Sequence, residues 1–153
     1  MIQGLTFTIY GTPRTKKNHG RRKYSFRKKR TFNVPSEAYE TWAGTAKKSL
    51  PLIKQQVADA GVDLPITVDL NCSAQVFRHA DVGDAVGFYQ GLADWLEDVG
   101  VLKNDVQIRQ WDGSRLRQDP ALPRIVVTLD QIGPREKTPR AARKSAKKGV
   151  KRG

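Results

Sequence analysis

Three aspartates bracket one amphipathic stretch, ADVGDAVGFYQGLADWLEDVGVLKNDVQI, which runs from Ala80 to Ile108: Asp81 and Asp84 at its head and Asp105 beyond its end. Carboxylates are hard oxygen ligands, and Mg2+ typically takes one or two of them while keeping water and phosphate oxygens. These three stand in a chain of 153 residues whose formal net charge is +13. Acid set inside a strongly basic protein suits chemistry on a polyanion: cations hold the phosphates, and carboxylates hold a metal that activates water and relieves charge on the leaving oxygen. Each aspartate also has a plain structural use. Asp in a first helical turn caps the helix and complements its dipole, and Asn104-Asp105 suits a turn.

The charge is segregated. Residues 11–30 (GTPRTKKNHGRRKYSFRKKR) carry ten Lys/Arg and no acid, and residues 134–153 carry nine Lys/Arg against Glu136, which leaves the remainder of the chain at −5. Two basic segments flanking an acidic body point to a polyanionic partner. Arg14, Lys16, Lys17, Arg21, Arg22, Lys23, Arg27, Lys28, Lys29 and Arg30 are the candidate DNA contacts. Tyr24, Phe26 and Phe32 are interleaved with them, placed either to stack on bases or to form the inward face of a short strand.

The elements that must position these groups follow from periodicity. Residues 2–10 alternate, with Leu5, Phe7 and Ile9 on one side, and read as a half-buried strand ended by Gly11 and Pro13. The basic segment follows as a long loop or hairpin reaching Val34. Pro35-Ser36-Glu37 opens a helix with Ser36 as N-cap; it carries Tyr39, Trp42, Ala46 and Leu50, continues past Pro51 and stops at Gly61. Ile66, Val68, Leu70, Cys72, Ala74 and Val76 share one face of a strand over 65–77. The next helix begins near Asp81–Asp84 and ends near Asp98, with Ala85, Phe88, Tyr89, Leu92, Leu96 and Val99 as its buried stripe. Gly87 and Gly91 lie on another stripe, close to that of Asp84, and predict close approach by a neighbouring element or a nucleic-acid backbone. Asp69, Asp94, Glu97 and Asp98 are assigned to solvent. Val106–Trp111 and Arg124–Leu129 read as strands with Asp112-Gly113 as a turn between them. The sequence thus predicts one α+β domain over residues 1–133, a mixed sheet packed with two main helices. Residues 134–153 lack apolar periodicity and are predicted to be a disordered basic tail.

In this order of elements the chain resembles the RusA-like Holliday junction resolvases of phages and prophages, over roughly residues 3–132. LTFTIYGTPRTKKN is similar to that family's first strand and its Lys/Arg-rich loop, and PSEAYETW to its helix opening. The family hallmark is Asp-x-Asp-Asn at the head of a helix, with another Asp just before the following strand. Asp81-Val82-Gly83-Asp84 occupies the first place and KNDVQI, with Asp105, the second. Two alignments are open. With a gap, Asp81 takes the first family Asp, Gly83 the second and Asp84 the Asn; without one, Asp84 takes the first and Val86 the second. The family also has a Lys within that helix, and the matching positions are Gly87 or Gln90; Arg78, His79 or Lys103 would have to take its place.

The resemblance implies a Mg2+-dependent endonuclease, Mn2+ serving as a substitute, that cuts four-way or branched DNA as a homodimer. It assigns Asp81, Asp84 and Asp105 to the metal, and Lys103 is the nearby cation placed to stabilise the transition state or leaving group. The alternatives are a DNA junction- or duplex-binding protein whose metal site has decayed, or a basic RNA-binding structural protein. Little else in the chain competes. Cys72 is the only cysteine and lies on an apolar strand face. His19 and His79 lack partners at zinc-ligand spacing, and neither a P-loop nor a dinucleotide fingerprint is present. Trp42, Trp95 and Trp111 are assigned to core or interface, with Trp95 at the edge of its stripe and available to a dimer contact. No apolar run reaches membrane length and the start lacks signal-peptide order, which predicts a cytoplasmic protein without a membrane partner; the resemblance implies a bacterial host and a phage or prophage origin.

Overall fold

Alternation along three strands builds the core. The computed structural model describes residues 1–16, 21–34 and 36–134. β1 (Leu5–Tyr10) pairs antiparallel with β7 (Arg124–Gln131), and β7 pairs antiparallel with β4 (Leu70–Arg78). The register lines up the apolar positions in rows: Leu5 opposite Leu129 opposite Cys72, Phe7 opposite Val127 opposite Ala74, and Ile9 opposite Ile125 opposite Val76. Because side chains alternate across a strand, these rows fall on one face, and all nine residues are buried. Cys72 is fully buried in this layer, as the sequence predicts, and burial pushes its thiol up to about 12.

Helices cover that face. α1 (Glu37–Ala46) begins where Ser36 Oγ accepts the Tyr39 N–H at 3.2 Å, the predicted cap. The helix is not continuous through Pro51. A 3-10 turn (Lys47–Ser49) intervenes and α2 (Leu50–Asp59) restarts with Pro51 in its first turn, where a missing N–H costs nothing. Gly61, at φ +72°, ends it. α3 (Ala85–Asp98) lays Phe88, Leu92, Trp95 and Leu96 into the same core as Tyr39, Trp42, Ile53 and Val57. The result is a single α+β domain with a mixed sheet, and no helix among the described residues is long and apolar enough to cross a membrane.

The far side of β4 departs from expectation. Residues 105–107 form a 3-10 turn rather than the start of a strand, because Asn104 Oδ1 accepts the Val106 N–H at 3.0 Å and Gln107 Oε1 accepts the Asn104 N–H at 2.7 Å. β5 is therefore only Ile108–Gln110, and a further strand not predicted, β6 (Arg115–Gln118), follows. Both run parallel to β4 instead of forming a hairpin with β7. Side chains from both sides hold the turn between them to β4: Asn71 bonds Asp112 through both its amide groups, and Ser114 Oγ accepts from Ala74 N and donates to Cys72 O. The predicted strand over 65–77 also starts late, at Leu70, Ile66 making only a bridge to Leu102.

Of the two outcomes left open for the basic segment, the structure has a hairpin. β2 (Arg21–Ser25) and β3 (Arg30–Val34) form their own two-stranded sheet, closed by the four-residue loop Phe26–Lys29. Lys17, His19 and the predicted tail from residue 135 onward lie outside the described residues.

Candidate active site

The site is built on a stripe of α3. At about 100° per residue Asp84, Gly87, Gly91 and Asp94 fall on one side of the helix. The segment 14–16, leaving β1, lies across the two glycines. A Cβ on Gly91 would meet Tyr39 Cε2 at 3.1 Å and the Arg14 carbonyl at 3.4 Å, and one on Gly87 would meet Thr15 at 3.0 Å. The close approach predicted from these glycines is thus made by the chain itself, at the root of the basic segment. Tyr39 fixes the third side, its hydroxyl donating to Gly91 O at 3.1 Å. Burial raises the Tyr39 pKa, with the charges of Asp94 and Asp98 adding to the effect.

This docking carries Lys16 to α3. Its Nζ lies 2.8 Å from Asp94 Oδ2 and 5.5 Å from the centre of the Tyr39 ring. Asp94 is only 16% exposed at its side chain. Asp105 reaches the same place from the loop after α3. Its backbone N–H donates to Glu97 Oε2 at 3.2 Å, and its carboxyl feels that of Asp94. Partial burial pushes the Asp105 pKa above its ordinary value, and the Asp94 hydrogen bond and the charges of Glu97 and Asp94 push it the same way. Asp94, Glu97, Asp105 and Lys16 therefore form one electrostatic unit.

Asp94 and Glu97 correct the sequence reading, which put both in solvent. The missed signal is the stripe itself, since continuing Asp84–Gly87–Gly91 by three residues reaches Asp94. Asp81 and Asp84 are used elsewhere. Asp84 is the N-cap of α3, its Oδ2 accepting the Gly87 N–H at 3.1 Å. It stands ten residues from Asp94, about 15 Å along the helix axis. Asp81 is 85% exposed at its side chain and pairs with Arg78 at 2.9 Å, while Arg78 also donates to Arg117 O and Val82 O. Among the described residues no three His, Cys, Asp or Glu side chains are grouped to hold a metal, so Asp81, Asp84 and Asp105 are not brought together. Lys103 is exposed, its N–H bonded to Ile66 O.

A concavity of about 220 Å3 opens beside Asp105, lined by Val86, Tyr89, Gln90, Ala93, Ile108 and Trp111. Tyr89 and Trp111 stack at 4.9 Å on its wall. In the ungapped alignment Val86 and Gln90 stand where the resembling family has its second carboxylate and its Lys. The fold gathers those positions around Asp105, but the groups they carry here are an isopropyl and an amide. Trp95 is not at a surface: it is 1% exposed, donates from Nε1 to Ala43 O at 3.2 Å and lies 5.9 Å from Trp42, which removes it from any dimer contact.

Beyond its root the basic segment is largely solvent-exposed where it is described. Arg22, Lys23, Arg27, Lys28, Lys29 and Arg30 all stand in solvent, and Arg14 and Lys16 are half-buried at its root. No protein-family model and no curated protein matches this chain.

The donor set fits a divalent cation only as a pair. Asp94 and Asp105 supply two adjacent carboxylates, which suffices for Mg2+ when water and substrate phosphate complete the shell. The predicted trio is not grouped among the described residues.

Proposed function

We propose that this protein is a divalent-metal-dependent endonuclease acting on branched DNA, four-way junctions in particular, with Asp94 and Asp105 as its carboxylate centre. The observation that carries this reading is the chain of interactions Lys16–Asp94–Asp105, which ties an acidic pair to the root of a strongly basic arm. A cation held there would activate a water and offset charge on the phosphate. Asp94 and Asp105 would hold it, Glu97 orients Asp105 through its backbone N–H, and Lys16 offers a positive charge to the phosphate next to the pair. The arm would grip the flanking phosphates. Two opposed cuts require two related sites, which a two-fold homodimer supplies, and the exposed Val86 and Val106 are apolar surface that such a dimer would bury.

The test is cleavage of an end-labelled synthetic four-way junction with and without Mg2+. Asp94→Asn and Asp105→Asn should each abolish cutting and retain binding. A specific observation favours a second reading, that of a DNA-binding protein without nuclease activity. Val86 and Gln90 line the concavity of Asp105 where the resemblance calls for a carboxylate and a lysine. Junction binding by the wild type with no cutting in Mg2+ or Mn2+ would select it.

A further inference from the structure

The basic arm carries its aromatic rings outward. Phe26, at the tip of the β2–β3 hairpin, is 86% exposed, Tyr24 is 52% exposed and Phe32 is 41% exposed. Of the two placements the sequence allowed, an inward strand face is thereby removed. Single exposed apolar residues are ordinary, but here three rings sit on a fourteen-residue hairpin that forms no sheet with the domain. Tyr24 and Phe26 meet edge to face, 5.0 Å between centroids at 85°. That arrangement engages at most one face of each ring, and it props Phe26 against its neighbour. Arg27, Lys28 and Lys29 complete the loop, with Lys29 held at φ +47°, and Arg22, Lys23 and Arg30 line the strands below. Aromatic faces rimmed by cations are the combination that holds unpaired bases: cations take the phosphates and the ring takes the base. A continuous duplex offers no free base face. A branch point, where stacking is interrupted, does.

We infer that Phe26, braced by Tyr24, stacks on an unstacked DNA base at a branch point, so that the arm and not the carboxylate centre selects branched over linear DNA. The inference rests on the DNA-binding part of the reading above and is independent of whether the protein cuts.

The experiment uses the full chain and two DNA probes: a four-way junction with 2-aminopurine at the branch point, and a linear duplex with 2-aminopurine at its centre. Wild type should change the emission of the junction probe on binding and leave that of the duplex probe unchanged. Phe26→Ala should abolish the junction signal and weaken junction binding by about 5- to 150-fold, the range that base–aromatic stacking spans, with duplex affinity unchanged. Phe26→Trp should retain signal and affinity. Phe26→Leu should behave as alanine. Full junction affinity and signal in Phe26→Ala, or in Phe26→Leu, would overturn stacking while leaving DNA binding intact. If the wild type binds neither probe, the inference falls together with the reading beneath it.

Discussion

Replacing Asp84 with alanine deletes the oxygen that accepts the Gly87 N–H at 3.1 Å and removes a negative charge from the start of α3. Loss of an N-cap costs about 1 kcal/mol, and loss of a carboxylate at a helix N-terminus adds about 0.3–1 kcal/mol. The unfolding entropy is about 2.1 cal/mol/K per residue, or roughly 0.27 kcal/mol/K for a domain of roughly 130 residues, so Asp84→Ala should lower the Tm by about 5–7 °C. Asp84→Asn keeps the cap and should lose only about 1–4 °C. Gly87→Ala should act through the same contact. Its Cβ would stand 2.7 Å from Asp84 Oδ1, as well as 3.0 Å from Thr15, so the carboxylate must leave the cap and the usual helix gain of about 1 kcal/mol is forfeited. Once Asp84 is already alanine that part of the cost is gone. The double variant should therefore melt higher than the summed single losses predict, by about 1 kcal/mol of coupling. Thermal unfolding of the four proteins at one ionic strength measures the cycle. Additivity within about 0.3 kcal/mol, or wild-type melting of Asp84→Ala, would refute the cap argument. Junction cutting supplies the functional half: Asp84→Asn should cut as the wild type does, and a stable but inactive Asp84→Asn would return Asp84 to the metal centre.

The raised pKa of Asp105 means that the folded state holds that proton more tightly than the unfolded chain. Its contribution to stability is complete below the ordinary value of 3.8 and is lost as pH rises through the raised one. Asp105→Asn should accordingly melt above the wild type at pH 7, with the gap closing as pH falls towards 3.8, and Mg2+ should raise the melting temperature of the wild type alone; a pH-independent gap would contradict the assignment. Trp95→Ala should cost about 3–5 kcal/mol as a core truncation, read by chemical denaturation, whereas a surface role would leave stability unchanged. Changing Arg22, Lys23, Arg27 and Lys28 together to Gln should flatten the slope of log affinity against log salt by up to about 3.6 on duplex DNA, at about 0.9 for each phosphate no longer neutralised. An unchanged slope in a titration over several salt concentrations would remove the arm from the binding surface.

The elements that local pattern can specify were legible in the chain. The alternation of Leu5, Phe7 and Ile9, the run from Leu70 to Val76, the Ser36 cap and the Gly61 stop each follow from period or from one residue's backbone chemistry. β6 was not legible because RLRQ sits on a sheet edge with one half-buried side chain and three exposed, so it has no apolar alternation to read. Its parallel pairing with β4 depends on Asn71, which grips the turn at Asp112, and on Ser114, which grips the strand at Ala74, each across about forty residues of sequence. The position of Asp105 beyond the helix was legible, but the residues it packs beside were not. Asp94 and Glu97 lie outside the apolar stripe of α3, and a helix side left over from the core reads as solvent until segment 14–16 is laid upon it. That contact is long-range and spans about eighty residues of sequence. The head of α3 was ambiguous for the opposite reason, because an aspartate that caps a helix and one that holds a metal look the same in sequence.

The stacking of Trp111 on Tyr89 gives the molecule a built-in optical probe. Trp42 and Trp95 lie in the core, 3% and 1% exposed, where bulk solvent scarcely reaches them. Trp111 instead shares a concavity with Asp105. The chain has three tryptophans, so the emission that soluble quenchers reach belongs to the one that borders the carboxylate pair. Occupancy of that concavity, by a cation, DNA or any other ligand, would register there in the unlabelled protein, separately from unfolding, which the two buried indoles report.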